Sequence, residues 1–200
     1  MASNNEDLAA DTTAGYKAGT KLTLDQYENL DKEDESLARW KASLGIGSGT
    51  SKPLAIDPND KRTCVITALA LESPGRADIT IDLTKPNALA ELRQHPFTIK
   101  EGVKFRMKAT FRVQHSLLSG LKYVQVVKRK GIRVSKEQEM IGSYPPSTED
   151  KPTYEKKFAE DEAPSGMLAR GKYDAVSRFV DDDNDEHLIF EWTFEIKKEW

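Results

Sequence analysis

Three consecutive aspartates, Asp181, Asp182 and Asp183, sit between two strand-like runs near the C-terminus. Carboxylates at that density can hold calcium, although the D-x-D-x-D-G spacing and bidentate glutamate of a calcium loop are missing. They can equally make a turn soluble, and the residues alone leave both readings open. A thiol nucleophile is the other chemistry to consider. The lone Cys64 would need a base beside it, and His95, His115 and His187 show no pairing pattern in sequence. A buried strand cysteine is the plainer reading. HExxH, CxxC and GxxxxGK[ST] are all absent. The glycines at 45, 47 and 49 follow a helical pattern rather than a strand, so they read as a cap and linker. No catalytic constellation emerges, and an enzyme activity, a cofactor and a metal are all unexpected.

The elements around the aspartates are strands. Leu188, Phe190, Trp192, Phe194 and Ile196 alternate with Ile189, Glu191, Thr193 and Glu195, the period of a strand with one buried face. Before the turn, Tyr173, Ala175 and Phe179 face one way and Lys172, Asp174 and Arg178 the other, which predicts a hairpin. From Arg62 onward the same period dominates. Val65, Thr67, Leu69 and Leu71 are expected on one face, Ile79, Ile81 and Leu83 on another, and Phe105, Met107, Ala109, Phe111 and Val113 on a third. A strand over 121–129 and one or two helical turns over 87–94 complete the reading. Short strands separated by frequent turns predict an all-β sandwich over 61–200.

The first 60 residues differ. Residues 1–21 contain little that could be buried and are expected to be disordered in the free protein. Thr23 and Gln26 fit a capping box ahead of Leu24, Tyr27 and Leu30, which predicts a helix near 23–30. Leu37, Trp40 and Leu44 predict a second near 34–44, with Asp31, Glu33, Asp34 and Glu35 favouring its N-terminus. Both are too short to be stable alone. A flexible N-terminal arm over 1–60 that orders on binding is expected; permanent docking on the body is the alternative.

Composition bounds the partners. Hydrophobic residues make up 38% and charged residues 32% of the 200-residue chain, and the net charge of −3 argues against nucleic acid as a ligand. Lys128, Arg129, Lys130 and Arg133 form the only basic cluster and read as a solvated strand end. No apolar run approaches the roughly 18–20 residues of a membrane span, and no signal-peptide pattern opens the chain. A cytoplasmic protein is expected, in keeping with a single cysteine.

Several blocks carry a resemblance. GMLARG at 166–171, Ser177-Arg178-Phe179, the three aspartates, His187-Leu188, Glu191-Trp192, SGLKYVQ at 119–125, KEGVKFRMK at 100–108, IGSYPP at 141–146 and LDKEDESL at 30–37 resemble the Rho GDP-dissociation inhibitors, in that family's order, over roughly nine-tenths of the chain. The resemblance implies an immunoglobulin-like β-sandwich. It further implies binding of prenylated, preferentially GDP-bound Rho-family small GTPases, slowed GDP release and extraction from membranes, with only a transient membrane encounter. A geranylgeranyl group would lie between the sheets, lined by Leu71, Phe97, Phe105, Leu117, Leu121 and Trp192. Asp34, Ser36 and Asp183 would contact the GTPase switches, Leu37 and Trp40 would pack beside them, and Tyr16 would anchor the extended segment. Asp161 and Glu162 would attract the basic tail that precedes the lipid.

The chain departs from animal members in places. Trp40 stands for a more usual Tyr, Phe190 for a Trp, and Pro96 and Lys172 for serines used in phosphoregulated release, so that switch does not transfer. A general carrier of lipidated proteins would not need the acidic arm. A calcium-dependent lipid hydrolase or membrane-docking module would need a nucleophile and base, or a calcium loop, that the residues do not supply.

Overall fold

The computed structural model describes residues 8–11, 26, 29, 30, 33–43, 52 and 54–200. Strands dominate them. β1 (Cys64–Glu72), β2 (Ile79–Asp82), β4 (Lys104–Val113) and β7 (Tyr154–Lys157) form one sheet in the order β2-β1-β4-β7, with the short β8 (Asp161–Glu162) also on β4. The second sheet runs β3 (Phe97–Lys100), β10 (Glu186–Lys197), β9 (Gly171–Val180), β5 (Leu118–Arg129), β6 (Ile132–Tyr144). Neighbours are antiparallel except β3 and β10, which run parallel. Two helices, α1 (Glu35–Ser43) and α2 (Ala88–Gln94), are described.

The all-β class follows from period-two patterning that lets each sheet bury one face against the other. Ala109, Phe111 and Val113 of β4 are almost fully buried and meet Ala175 and Phe179 of β9 and Phe190, Trp192 and Ile196 of β10 in the core. Phe111 packs edge-on against Tyr144 with ring centres 5.0 Å apart, a favourable arrangement for aromatic quadrupoles.

The sequence reading lacks β3, β6, β7 and β8 and places the face of β1 differently, and two of these elements, β1 and β6, show the physical reasons. β1 does not keep one face. A bulge between Ile66 and Ala68 inserts an extra residue, so Cys64 and Ile66 point inward before it and Leu69 after it. β6 is the second. Its residues are mostly exposed because it is an edge strand, and polar and apolar side chains mix on both faces, which removes the alternation that would reveal it.

The expected helix near 23–30 falls largely outside the described residues. Of 1–21 only residues 8–11 are described, and there the expected disorder does not hold, since Leu8 is 1% exposed and packed on Val124, Val126 and Val180.

At the other end of β9, the turn to β10 is fastened to β5. Asp182 pairs with Lys122 at 2.6 Å, and the Asp182 N–H donates to the Ser119 carbonyl. Gly120 makes room for this. Its φ is +58°, and a Cβ there would stand 1.8 Å from Asp182 Oδ2. Gly120→Ala is therefore expected to cost about 2 kcal/mol, from left-handed backbone strain plus displacement of the ion pair. Urea unfolding will measure it, and an unchanged midpoint would refute the steric argument.

Candidate ligand cavity and clamp residues

The two sheets stand apart at one end. Phe105 and Met107 of β4, Tyr123 and Val127 of β5, and Trp192, Phe194 and Ile196 of β10 line a cavity of about 900 Å³ that opens to solvent. Ligand pockets commonly span ~300–1,000 Å³. β5 shows why the wall is placed here. It is buried on both faces along most of its length, and Gln125 is a half-open position facing the cavity. Beside it, a narrow cleft shares Met107 and Trp192 and is lined also by Leu71, Leu92 and Phe97.

An apolar cavity tolerates polar wall atoms only if they are already satisfied. Four side chains achieve this among themselves. The Trp192 indole N–H donates to Ser177 Oγ at 3.0 Å, Ser177 and Tyr123 share a hydrogen bond at 2.8 Å, and the Tyr123 hydroxyl donates to Gln125 Oε1 at 2.6 Å. Ser177 has no exposed surface. Burial raises the Tyr123 phenol above its ordinary value, so it stays a neutral donor. With these groups paired, Phe105, Met107, Val127, Phe194 and Ile196 give the wall its ring and aliphatic surface, and the acidic residues of the lining lie on β6 and on residues 160–162.

The rim is acidic. Glu137, Glu139, Glu160, Asp161 and Glu162 all border the opening. Glu160 is paired with Lys104 at 2.9 Å and Glu139 with Lys156 at 3.1 Å. Desolvation on its wall side, and then the charge of Asp161, raise the Glu137 carboxyl above the usual carboxylate value. A cation brought to this rim would relieve that repulsion. On the far side, Arg129 donates to the Leu168 and Arg170 carbonyls, and Glu101 accepts from the Arg170 guanidinium at 2.6 and 2.9 Å. These contacts hold the 166–171 loop, with Met167 and Leu168 84% and 90% exposed.

The sandwich is two-ended. β5 pairs Lys128 with Asp174 and Lys122 with Val180, so the aspartate turn lies at the end of β9 away from Tyr173 and the cavity. From Asp174 to Val180 the strand runs roughly 20 Å, at about 3.3 Å per residue, and the cavity wall reaches along it as far as Tyr123, opposite Phe179. At the turn, Asp181 is 5% exposed and accepts the N–H groups of Asp183 and Asp185 and lies 3.0 Å from His187 Nε2. Asp182 is held by Lys122. Asp183 is half-buried, with its carboxylate carried on this braced turn. The arm joins the body at the same end: Leu54 donates to the Ser147 carbonyl, and Ser147 in turn to Val113 of β4.

Asp34 has a local role. Its Oδ1 accepts the N–H groups of Ser36 at 2.8 Å and Leu37 at 3.2 Å, the geometry of an N-cap on α1. Asp34, Ser36 and Leu37 are exposed. Tyr16 and the Trp40 side chain lie outside the described residues.

Of the six residues assigned to the lipid by resemblance, Phe105 and Trp192 line the cavity and Leu71 and Phe97 the adjoining cleft. Leu121 is fully buried in the main core, and Leu117 sits at the β4–β5 connection, toward the turn end. Asp161 and Glu162 border the opening. Sequence reasoning missed Tyr123, Gln125, Val127, Phe158 and Phe194. The available signal was a strand apolar on both faces and interrupted by one glutamine.

A β-sandwich with a partly open apolar pocket between its sheets defines a class built to hold a ligand. The comparisons then identify the family. The model of the RHO protein GDP dissociation inhibitor family matches residues 1–199. The chain is 47% identical over 184 residues to the Rho GDP-dissociation inhibitor of Saccharomyces cerevisiae, covering 92% of this chain and 90% of that protein. It is 46% identical over 183 residues to the Schizosaccharomyces pombe protein of the same name, covering 91% and 85%. To human Rho GDP-dissociation inhibitor 1 it is 39% identical over 201 residues, covering 100% and 92%. The chain belongs to the Rho GDP-dissociation inhibitor family, whose members are regulatory inhibitors rather than enzymes. No helix among the described residues is long and apolar enough to cross a membrane.

Ser177→Ala removes the shared partner of Trp192 and Tyr123, leaving the buried indole N–H unsatisfied. A loss of about 1–3 kcal/mol is expected by thermal or urea unfolding. A loss under about 0.5 kcal/mol, the range of neutral surface changes, would mean that the chain of bonds does not hold the wall.

Proposed function

We propose that this protein binds prenylated Rho-type GTPases, seats the geranylgeranyl group in the cavity, slows GDP release by holding the switches, and keeps the extracted GTPase soluble in the cytoplasm. The observation that carries the reading is the self-satisfied apolar cavity of about 900 Å³ between the sheets. The acidic rim at Asp161 and Glu162 suits the basic tail that precedes the lipid.

A magnitude explains why a cavity alone is insufficient. Each buried CH₂ is worth about 0.8 kcal/mol, so a C20 chain gains on the order of 10 kcal/mol or more on leaving water. A bilayer offers nearly the same gain. Extraction must therefore be tipped by contacts to the protein part of the cargo. Those contacts come from the other end of the sandwich, through Asp183 on its braced turn and Asp34, Ser36, Leu37, Trp40 and Tyr16 on the arm. Asp34 accepts a switch hydroxyl with the oxygen not used by its helix, and Asp183 faces a basic switch residue. GDP-bound cargo is preferred because the switches must adopt the conformation the arm fits. Membrane contact is transient, during delivery and removal.

Two experiments test this. Extraction from liposomes by the full chain should exceed that by a chain lacking residues 1–52, while both bind prenyl lipid; equal extraction would remove the arm from the mechanism. Asp34→Ala loses both cap and charge, whereas Asp34→Asn keeps the cap, since Asn serves there about as well as Asp. Both variants should weaken binding of prenylated, GDP-loaded GTPase about tenfold, with the sandwich's thermal midpoint unchanged. If Asp34→Asn binds like the wild type, Asp34 acts only on its own helix.

A further inference from the structure

β5 carries valines on both of its faces, and a strand at a sheet surface ordinarily leaves one face to water. The outward pair, Val124 and Val126, is 0% and 1% exposed, and the neighbouring Val180 of β9 is 1% exposed. What covers them is Leu8, itself 1% exposed, with Ala10 and Val176 completing the patch. The backbone around Leu8 is also held. Lys136 Nζ donates to the Ala9 carbonyl at 2.9 Å, and the Asp11 N–H donates to Gln138 Oε1 at 2.7 Å. Lys136 and Gln138 stand opposite Val126 and Val124 in the β5–β6 register, so two polar residues on the edge strand flank the valine row.

We propose that residues 8–11 are an intramolecular ligand of the outer face of the β5–β6–β9 sheet, with Leu8 as the anchoring side chain. Their docking gives the arm a second attachment. The first is at the other end of the arm, where the Glu149 N–H donates to the Lys52 carbonyl and the Leu54 N–H to the Ser147 carbonyl. The arm is then tethered to the body at two points rather than one. Closing a chain limits how far its middle can stray, which raises the local concentration of the arm's acidic helix at the clamp end.

The attachment is built to release. Burying one leucine shifts an equilibrium by roughly ten- to a hundredfold, and ordering a few backbone residues opposes it. Substitution of Leu8 alone is enough to tip that balance. The sheet beneath loses only a lid.

The test uses the full chain without cargo, so its outcome is independent of the GTPase reading. A nitroxide is attached to Asn4→Cys. The native Cys64 is fully buried, and burial pushes its thiol up to about 12, so the label goes to position 4 alone. Methyl signals of Val124, Val126 and Val180 should lose more than half their intensity relative to the reduced label, while Val65 on the opposite sheet keeps its own. Adding Leu8→Asp should restore the three valines, and Leu8→Met should not. Unattenuated valines, or attenuation that persists in Leu8→Asp, would overturn the proposal. A mixture of spin-labelled chains with isotope-labelled, spin-free chains separates the geometry: attenuation there would assign the contact to a second copy and overturn an intramolecular anchor.

Discussion

The hydrogen bonds joining Trp192, Ser177, Tyr123 and Gln125 are the interaction on which the cavity depends. An indole N–H and a phenol facing an apolar space would each need water or a ligand atom if left alone. Linked through Ser177 they need neither. The rings can then stand along a largely apolar stretch of wall, and the sheets can separate there without leaving the indole and the phenol unpaired. Below this chain the interior closes, with Phe111, Phe179 and Leu121 packed to zero exposure. The sandwich is therefore solid at the turn end and open at the other.

That polarity organises the rest of the molecule. The braced aspartate turn and the root of the arm share the solid end, whereas the acidic rim and the loop held by Glu101 and Arg129 share the open end. A cargo whose lipid enters the open end and whose folded body meets the aspartate turn must span the length between them. In the proposed function neither end would suffice alone, because burial of a lipid only matches what a membrane already supplies. Under the proposed function the two ends would therefore act in series on one cargo.

Much of the fold was legible because β4 alternates strictly between apolar and polar residues, and β9 and β10 do so with few exceptions such as Ser177 and Ile189, so that the period of two reads directly as a buried face. β6 was not legible because an edge strand wets both faces, and the face of β1 was misread because a bulge leaves no mark in composition. Site legibility divided along similar lines. Phe105 and Trp192 were accessible through motif resemblance, but a wall residue and a core residue obey the same chemistry, which is why Leu121 could be assigned to either. Asp181, Asp182 and Asp183 look equivalent in sequence. In the structure one cages its own turn, one pairs with Lys122, and the third stands half-open on the turn. Leu8 was invisible because a single leucine in a polar segment has no period.

The seat of the lipid is the central point, and it can be tested without any GTPase. Geranylgeranyl-cysteine methyl ester added to the isotope-labelled chain will give intermolecular NOEs from the isoprenoid to Phe105, Tyr123, Trp192 and Phe194 if the cavity receives it. NOEs confined to the outer sheet faces, or none to these four rings at saturating ester, would contradict a lipid seat between the sheets.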